Sequence, residues 1–225
     1  GTKKPKSIYI ARGFYFHDSQ NYFFWFSSYI IELVLLSQTN LILSQSNEDL
    51  NRTSFFLNFF KIRHFWIGNG INFDKFFFVN KIKNKKYINF VTTCRITKGK
   101  GLEDLFFSFN KLLIKYANIR LTIIGGPVSS DDKKYYEKLK INFNFKNIII
   151  TGIVDDVVSI LQSSDFYIHP SYREGVPRSI IEAMSVGLVV LATNIRGARE
   201  IIIHKINGYL YLSKNRNDLY KNIEF

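Results

Sequence analysis

The sequence predicts an α/β protein: an open parallel sheet over the last two thirds of the chain, preceded by the remnant of a second α/β domain. Two observations carry this. From about Tyr87, short apolar runs alternate with segments of helical length, the pattern of successive βαβ units with right-handed crossovers. Every glycine-rich or charged loop in that region follows an apolar run directly, at the strand carboxyl ends where an open α/β sheet binds its ligand.

The elements follow in order. Ile8 to Ala11 reads as a strand, residues 22–36 as a buried or interfacial helix, and residues 41–43 as a short strand. Ser46 and Asp49 mark a helix start, with Ser46 as the cap. Ile67-Gly68-Asn69-Gly70-Ile71-Asn72 is turn chemistry, and the Lys-rich residues 79–86 read as a solvated linker. Beyond it, strands are predicted at 88–94, 121–124, 148–151, 166–169 and 188–192, with helices at 102–116, 131–143, 157–163 and 177–185. Glu103 and Asp104 open the first of these helices, and Ser129-Ser130 supply candidate caps for the second. The division is therefore 1–78 for the remnant, 79–86 for the linker and 87–225 for the C-terminal domain.

Composition narrows the classes. A chain of 225 residues with 46% hydrophobic content has ample material for a core. One cysteine, Cys94, leaves no disulfide framework and fits a reducing compartment. No apolar run is long and unbroken enough for a bilayer span, and the opening residues carry no signal-peptide pattern. The net charge of +13 is uneven: residues 1–100 hold 15 Lys and Arg against 5 Asp and Glu, the remainder 16 against 13. A basic front half suits anionic lipid or phosphorylated substrates, though AT-rich codons explain the abundance of Lys, Asn, Ile and Phe equally well. No RNA-binding aromatic motif or helix-turn-helix pattern occurs, so nucleic acid is not an expected partner. Ile123-Ile124-Gly125-Gly126-Pro127 is not a dinucleotide fingerprint, and Gly99-Lys100-Gly101 lacks the spacing of a P-loop.

The most informative stretch is Pro170-Ser171-Tyr172-Arg173-Glu174-Gly175-Val176-Pro177-Arg178-Ser179-Ile180-Ile181-Glu182-Ala183-Met184. Strand, tight glycine turn and helix follow one another here, and the helix N-terminus offers free N–H groups to an anion. Pro177 is placed in the first turn, where its missing N–H costs nothing. Glu174 and Glu182, with seven residues between them, put two carboxylates beside that anion site, which suggests a sugar–phosphate ligand.

This motif resembles the signature of the retaining family 4 (group 1) glycosyltransferases of GT-B fold, in which a Rossmann-like C-terminal domain binds the nucleotide sugar. Arg95-Ile96 followed by Lys98-Gly99-Lys100-Gly101 resembles the family's basic loop, and Asn194-Ile195-Arg196-Gly197-Ala198-Arg199-Glu200 its last strand-end stretch. The R-E-G-x-P and R-G-x-R-E forms are most similar to bacterial enzymes that build surface polysaccharides on lipid carriers. The resemblance implies a hexose transfer from a nucleotide-diphospho sugar, UDP-linked by preference, to a glycan or polyprenyl-diphosphate-linked acceptor. It implies no cofactor and no metal, since Arg95, Lys100 and helix N–H groups would stabilise the leaving diphosphate. Glu174, Arg95 and Lys100 are then the catalytic candidates. Glu182, Gly175, Val176, Ser179, Gly152 and Ile153 are the donor-binding ones, although Gly152-Ile153-Val154 reads equally as an ordinary strand-end turn.

Arg12, His17 and Arg173 are the acceptor-side candidates, Arg12 standing where the family often has His. Arg196 and Arg199 are further possible phosphate contacts. His64, His169 and His204 are assigned structural roles. The family's opening strand and glycine loop have no counterpart, and its C-terminal helix is cut short after Asn215. A non-catalytic half-protein needing a separate N-domain therefore stands as an alternative, and a sugar-nucleotide epimerase as another. A location in the cytosol, held peripherally at the inner membrane face through residues 22–36, completes the expectations.

Overall fold

The computed structural model describes residues 7–16, 20–80 and 86–224. The N-terminal piece comprises β1 (Ile8–Ala11), α1 (Tyr22–Ser37), β2 (Leu41–Ser44), α2 (Asn47–Phe59) and β3 (Arg63–Trp66). Its three strands are all parallel in the order β1-β2-β3, with Ile8 opposite Leu41 and Leu41 opposite Arg63. Phe14, Phe16, Leu36, Ile42, Leu50 and Leu57 form its core. Asn21 caps α1 through the Phe24 N–H at 3.0 Å, and Ser46 caps α2 through the Asp49 N–H at 3.0 Å.

Helix α1 departs from an ordinary amphipathic pattern. Ser28 and Glu32 are buried beside Leu33 and Leu36, whereas Tyr22, Phe23, Phe24, Ile31, Val34 and Leu35 are exposed. Glu32 is drawn inward because its Oε1 accepts the Tyr15 N–H at 2.9 Å. Strand β3 does not show in the sequence, because Arg-His-Phe-Trp neither alternates nor forms an apolar run.

The C-terminal piece comprises β4 (Ile88–Thr93), α3 (Leu102–Lys115), β5 (Ile119–Ile124), α4 (Ser130–Asn142), β6 (Ile148–Gly152), α5 (Val157–Ser163), β7 (Phe166–His169), α6 (Arg178–Ser185), β8 (Val189–Thr193), α7 (Arg196–Arg199), β9 (Tyr209–Tyr211) and α8 (Arg216–Ile223). The six strands are all parallel in the order β6-β5-β4-β7-β8-β9. Successive residues of one strand serve opposite faces, as the two-residue period requires. Phe90, Ile123, Ile168 and Leu191 pack with α3 and α4, while Val91, Ile124, Tyr167 and Val190 pack with α5 and α6. Both faces are covered, as parallel sheets demand.

Three details differ from the sequence reading. Pro177 is the N-cap of α6 and not a residue of its first turn, leaving the helix start without a side-chain cap. A helix that the sequence reading did not assign follows Asn215, which caps α8 through the Asp218 N–H at 3.0 Å, and Ser108 on α3 donates to the Arg216 carbonyl at 2.9 Å. The reciprocal half of a capping box at Ser46 is not made, because Asp49 turns its carboxylate to the Phe14 N–H and to Arg196. At α4 the box is complete, between Ser129 and Asp132.

Candidate functional site

The strand order reverses between β4 and β7, which opens a crevice outside their carboxyl ends. The loop after β4 and the loop after β7 form its two walls. They are joined at the backbone: the Tyr172 N–H donates to the Gly99 carbonyl at 2.9 Å, and the Tyr172 hydroxyl donates to Asp104 Oδ2 at 2.6 Å. Gly101, with φ +67°, lies so close that a Cβ there would sit 1.9 Å from the Pro170 carbonyl oxygen.

This closure places Lys100 Nζ in an ion pair with Glu174 Oε1, both side chains about three-quarters buried. His169 ends β7 beneath them, its Nε2 4.0 Å from the same carboxylate oxygen. Burial, with Lys100 as a lesser contributor and Glu174 opposing, lowers the His169 pKa to about 4 and keeps the ring neutral. Arg95 is more exposed; its Nε lies 3.4 Å from Asp132 Oδ2. Beside it a cavity of about 290 Å³ is lined by Thr93, Arg95, Gly125, Gly152, Ile153 and Val154, from the ends of β4, β5 and β6.

Other sequence candidates take distinct places. Glu182 lies half-buried on α6 with Arg178 and Lys75 as its charged neighbours; burial raises its pKa ahead of their lowering effect. Among the described residues no ion pair joins it to Lys100. Ser179 stands in the first turn of α6 beside the buried Tyr167 hydroxyl. Val176 is buried and its carbonyl accepts from Asn69 Nδ2 at 2.9 Å. Gly175 is where the N-terminal piece meets the loop: a Cβ there would sit 1.9 Å from the Arg12 carbonyl oxygen, and a Cβ on Gly197 1.4 Å from the Gly175 carbonyl oxygen. The Arg12 side chain is exposed, and Arg173 lies with its guanidinium over the Tyr15 ring at 5.0 Å. His17 lies outside the described residues.

Two groups take roles that the sequence did not indicate. His169 became part of the site only when β7 and the Glu174 loop were placed together. Arg196, entertained as a phosphate contact, is instead buried: it reaches Asp49 Oδ1 at 2.6 Å and donates to the Phe16 and Phe14 carbonyls at 2.9 and 3.2 Å. Arg199 bonds Glu48 at 3.1 Å, and Glu200 Oε1 accepts the Ser46 hydroxyl at 2.7 Å. The R-G-x-R-E segment thus clasps the N-terminal piece.

The comparisons agree with this architecture. The family model described as glycosyl transferases group 1 matches residues 72–225. The capsular polysaccharide biosynthesis glycosyltransferase CapM of Staphylococcus aureus is 29% identical over 220 residues, 93% of this chain and 57% of that protein. The N,N'-diacetylbacillosaminyl-diphospho-undecaprenol alpha-1,3-N-acetylgalactosaminyltransferase of Campylobacter jejuni is 28% identical over 165 residues, 68% of this chain and 42% of that one. The chain therefore spans about half the length of these relatives. Among solved structures, Anabaena Alr3699/HepE in complex with UDP superposes with a TM-score of 0.77 at 17% identity, over 96% of this chain and 61% of that one, a likeness of fold. With its model match covering the whole C-terminal sheet, the chain belongs to the group 1 glycosyl transferases of GT-B fold.

Proposed function

We propose that the crevice between β4 and β7 binds a nucleotide-diphospho sugar, UDP-linked by preference, and passes its hexose with retention to a lipid-linked or polysaccharide acceptor. The observation that carries this is the convergence of Lys100, Glu174 and His169 at the switch point, beside a cavity of base size lined by Arg95, Gly152 and Ile153. Lys100 and Arg95 supply the positive charge that a departing diphosphate needs, and the uncapped start of α6 adds N–H groups, so transfer proceeds without an obligatory metal. Glu174 orients the sugar, with Gly175 and Val176 shaping the loop; Glu182 and Ser179 face the ribose side. Arg12, His17 and Arg173 lie toward the acceptor. A lipid-diphosphate acceptor is supported by the acceptor in the name of the Campylobacter relative, and UDP by the HepE complex.

The test is calorimetry with UDP, GDP and ADP on the full chain. UDP binding that survives EDTA is the expected result, and no binding of any of the three ends this reading. Retention is read from the anomeric configuration of the product by NMR.

A second reading, a sugar-nucleotide-binding half-protein without turnover of its own, is favoured by the exposure of Ile8, Ile10 and the aromatic face of α1. Nucleotide binding with no donor turnover would select it; donor turnover by the chain alone would remove it. No helix among the described residues is long and apolar enough to cross a membrane. The aromatic face of α1 in the more basic part of the chain supports peripheral attachment, to be read as salt-sensitive flotation with anionic liposomes.

A further inference from the structure

The ring of His169 is almost wholly enclosed at the crevice, with 3% of its surface exposed. Neither ring nitrogen has a hydrogen-bond partner among the described residues. Its position is fixed: Thr193 Oγ1 donates to the His169 carbonyl at 3.2 Å, and the ring lies nearly parallel to that of Tyr167, 18° between planes. A neutral imidazole carries one N–H, and a buried N–H without an acceptor is unfavourable. The acceptor that Nε2 faces is Glu174 Oε1 at 4.0 Å, about an ångström beyond hydrogen-bond range. That oxygen is held by Lys100.

A diphosphate entering the crevice competes with Glu174 for the Lys100 ammonium. We propose that His169 is the positioning residue for Glu174: when the donor's diphosphate takes Lys100, Glu174 is handed to His169, whose Nε2–H then donates to Oε1. This inference rests on the donor-site reading above. The motion is a side-chain rotation, since the loop backbone is anchored at Tyr172 to Gly99 and at Gly175 beneath the Arg12 carbonyl. A neutral donor has one advantage over a second cation here. It fixes the carboxylate while leaving its full negative charge to accept hydrogen bonds from sugar hydroxyls.

Two arms test this with the full chain. The first needs no nucleotide: in Lys100→Met, Glu174 has lost its cation. The His169 Nε2 resonance, assigned by its disappearance in Lys100→Met/His169→Gln, is expected to move to a hydrogen-bonded 15N shift with a slowly exchanging proton. An Nε2 shift and exchange rate identical to wild type overturns the handover whatever nucleotide binding shows. The second arm compares His169→Phe with His169→Gln. UDP alone is expected to bind both within about twofold of wild type, because UDP lacks the sugar. Hydrolysis of the UDP-hexose that the wild type turns over is expected to fall at least tenfold in kcat for Phe, with KM little changed, and to recover for Gln, whose amide N–H reaches the same oxygen. Full activity in Phe, or a Gln variant as poor as Phe, refutes the proposal. Absence of uridine nucleotide binding by the wild type is the distinct outcome that refutes the donor-site reading, and the proposal with it.

Discussion

Replacing Arg196 with Met tests whether a buried charge holds the two pieces of the chain together. The guanidinium is 7% exposed and joins Asp49 at 2.6 Å to the Phe14 and Phe16 carbonyls, over the Phe16 ring. Met retains most of the packing volume, so the loss is electrostatic. Removing one partner of a buried pair costs about 3–5 kcal/mol because the other charge remains uncompensated. Here that charge is Asp49, itself fully buried, with its pKa raised to about 6 by burial despite the opposing effect of Arg196. Without Arg196 the carboxyl keeps its proton to still higher pH, so the destabilisation is smaller at pH 5 than at pH 8. Urea unfolding followed by tryptophan fluorescence is the assay. Trp25 and Trp66, the two tryptophans of the chain, both lie in the N-terminal piece, while far-UV circular dichroism reports on both pieces. The fluorescence midpoint should drop at pH 8 and run ahead of the dichroism. Asp49→Asn/Arg196→Met should recover part of the loss, since no charge is then buried. A loss under about 1 kcal/mol at pH 8, the scale of an exposed pair, or an equal loss at both pH values, would refute the reasoning.

Other outcomes follow from the same geometry. His169, held at about 4 against an ordinary 6.5, contributes about 3 kcal/mol that is present above pH 6.5 and lost as pH falls toward 4. Asp49, raised from 3.8 to about 6, acts oppositely: its contribution of about 3 kcal/mol is present below pH 3.8 and lost as pH rises through 6. The two slopes offset each other in wild type, so His169→Gln should become more stable relative to wild type on going from pH 7 to 4.5, and Asp49→Asn less; parallel stability profiles of all three would sink both assignments. Lys100→Met and Glu174→Gln should each lower donor turnover by about 10²-fold or more while leaving the far-UV spectrum unchanged, and turnover within tenfold of wild type would remove them from the site. Gly101→Ala must place a Cβ 1.9 Å from the Pro170 carbonyl oxygen at φ +67°, so it should cost about 1–3 kcal/mol and weaken nucleotide binding; a neutral effect on both would contradict the close packing of the two loops.

What the sequence determined by itself is local and periodic. The alternation of apolar runs and helical segments after Tyr87 gave β4 to β8 and the helices α3 to α6 to within a residue or two, because burial on both faces leaves continuous apolar runs; β9, α7 and α8 were not assigned from it. The turn at Gly175 and the caps at Ser46 and Ser129 are also local, the caps resting on side chains that bond backbone a few residues away. The basic loop and the two-carboxylate motif could be recognised for the same reason. What needed the tertiary structure is everything decided across strands. Strand β3, with Arg63, Phe65 and Trp66 exposed, is a strand only because β2 pairs with it. The order β6-β5-β4-β7-β8-β9 sets which two loops face one another, and no period in the chain encodes strand order. Lys100 and Glu174 are 74 residues apart in sequence and meet only through that reversal. The same holds for Arg196 and Asp49, two charges that would each be placed in solvent by their residue type. They are buried because each satisfies the other and the backbone of a loop far away in the chain. His169 shows the limit most sharply: as a residue inside an apolar strand it reads as core, and its closeness to Glu174 exists only where the β7 loop folds back over the end of its own strand.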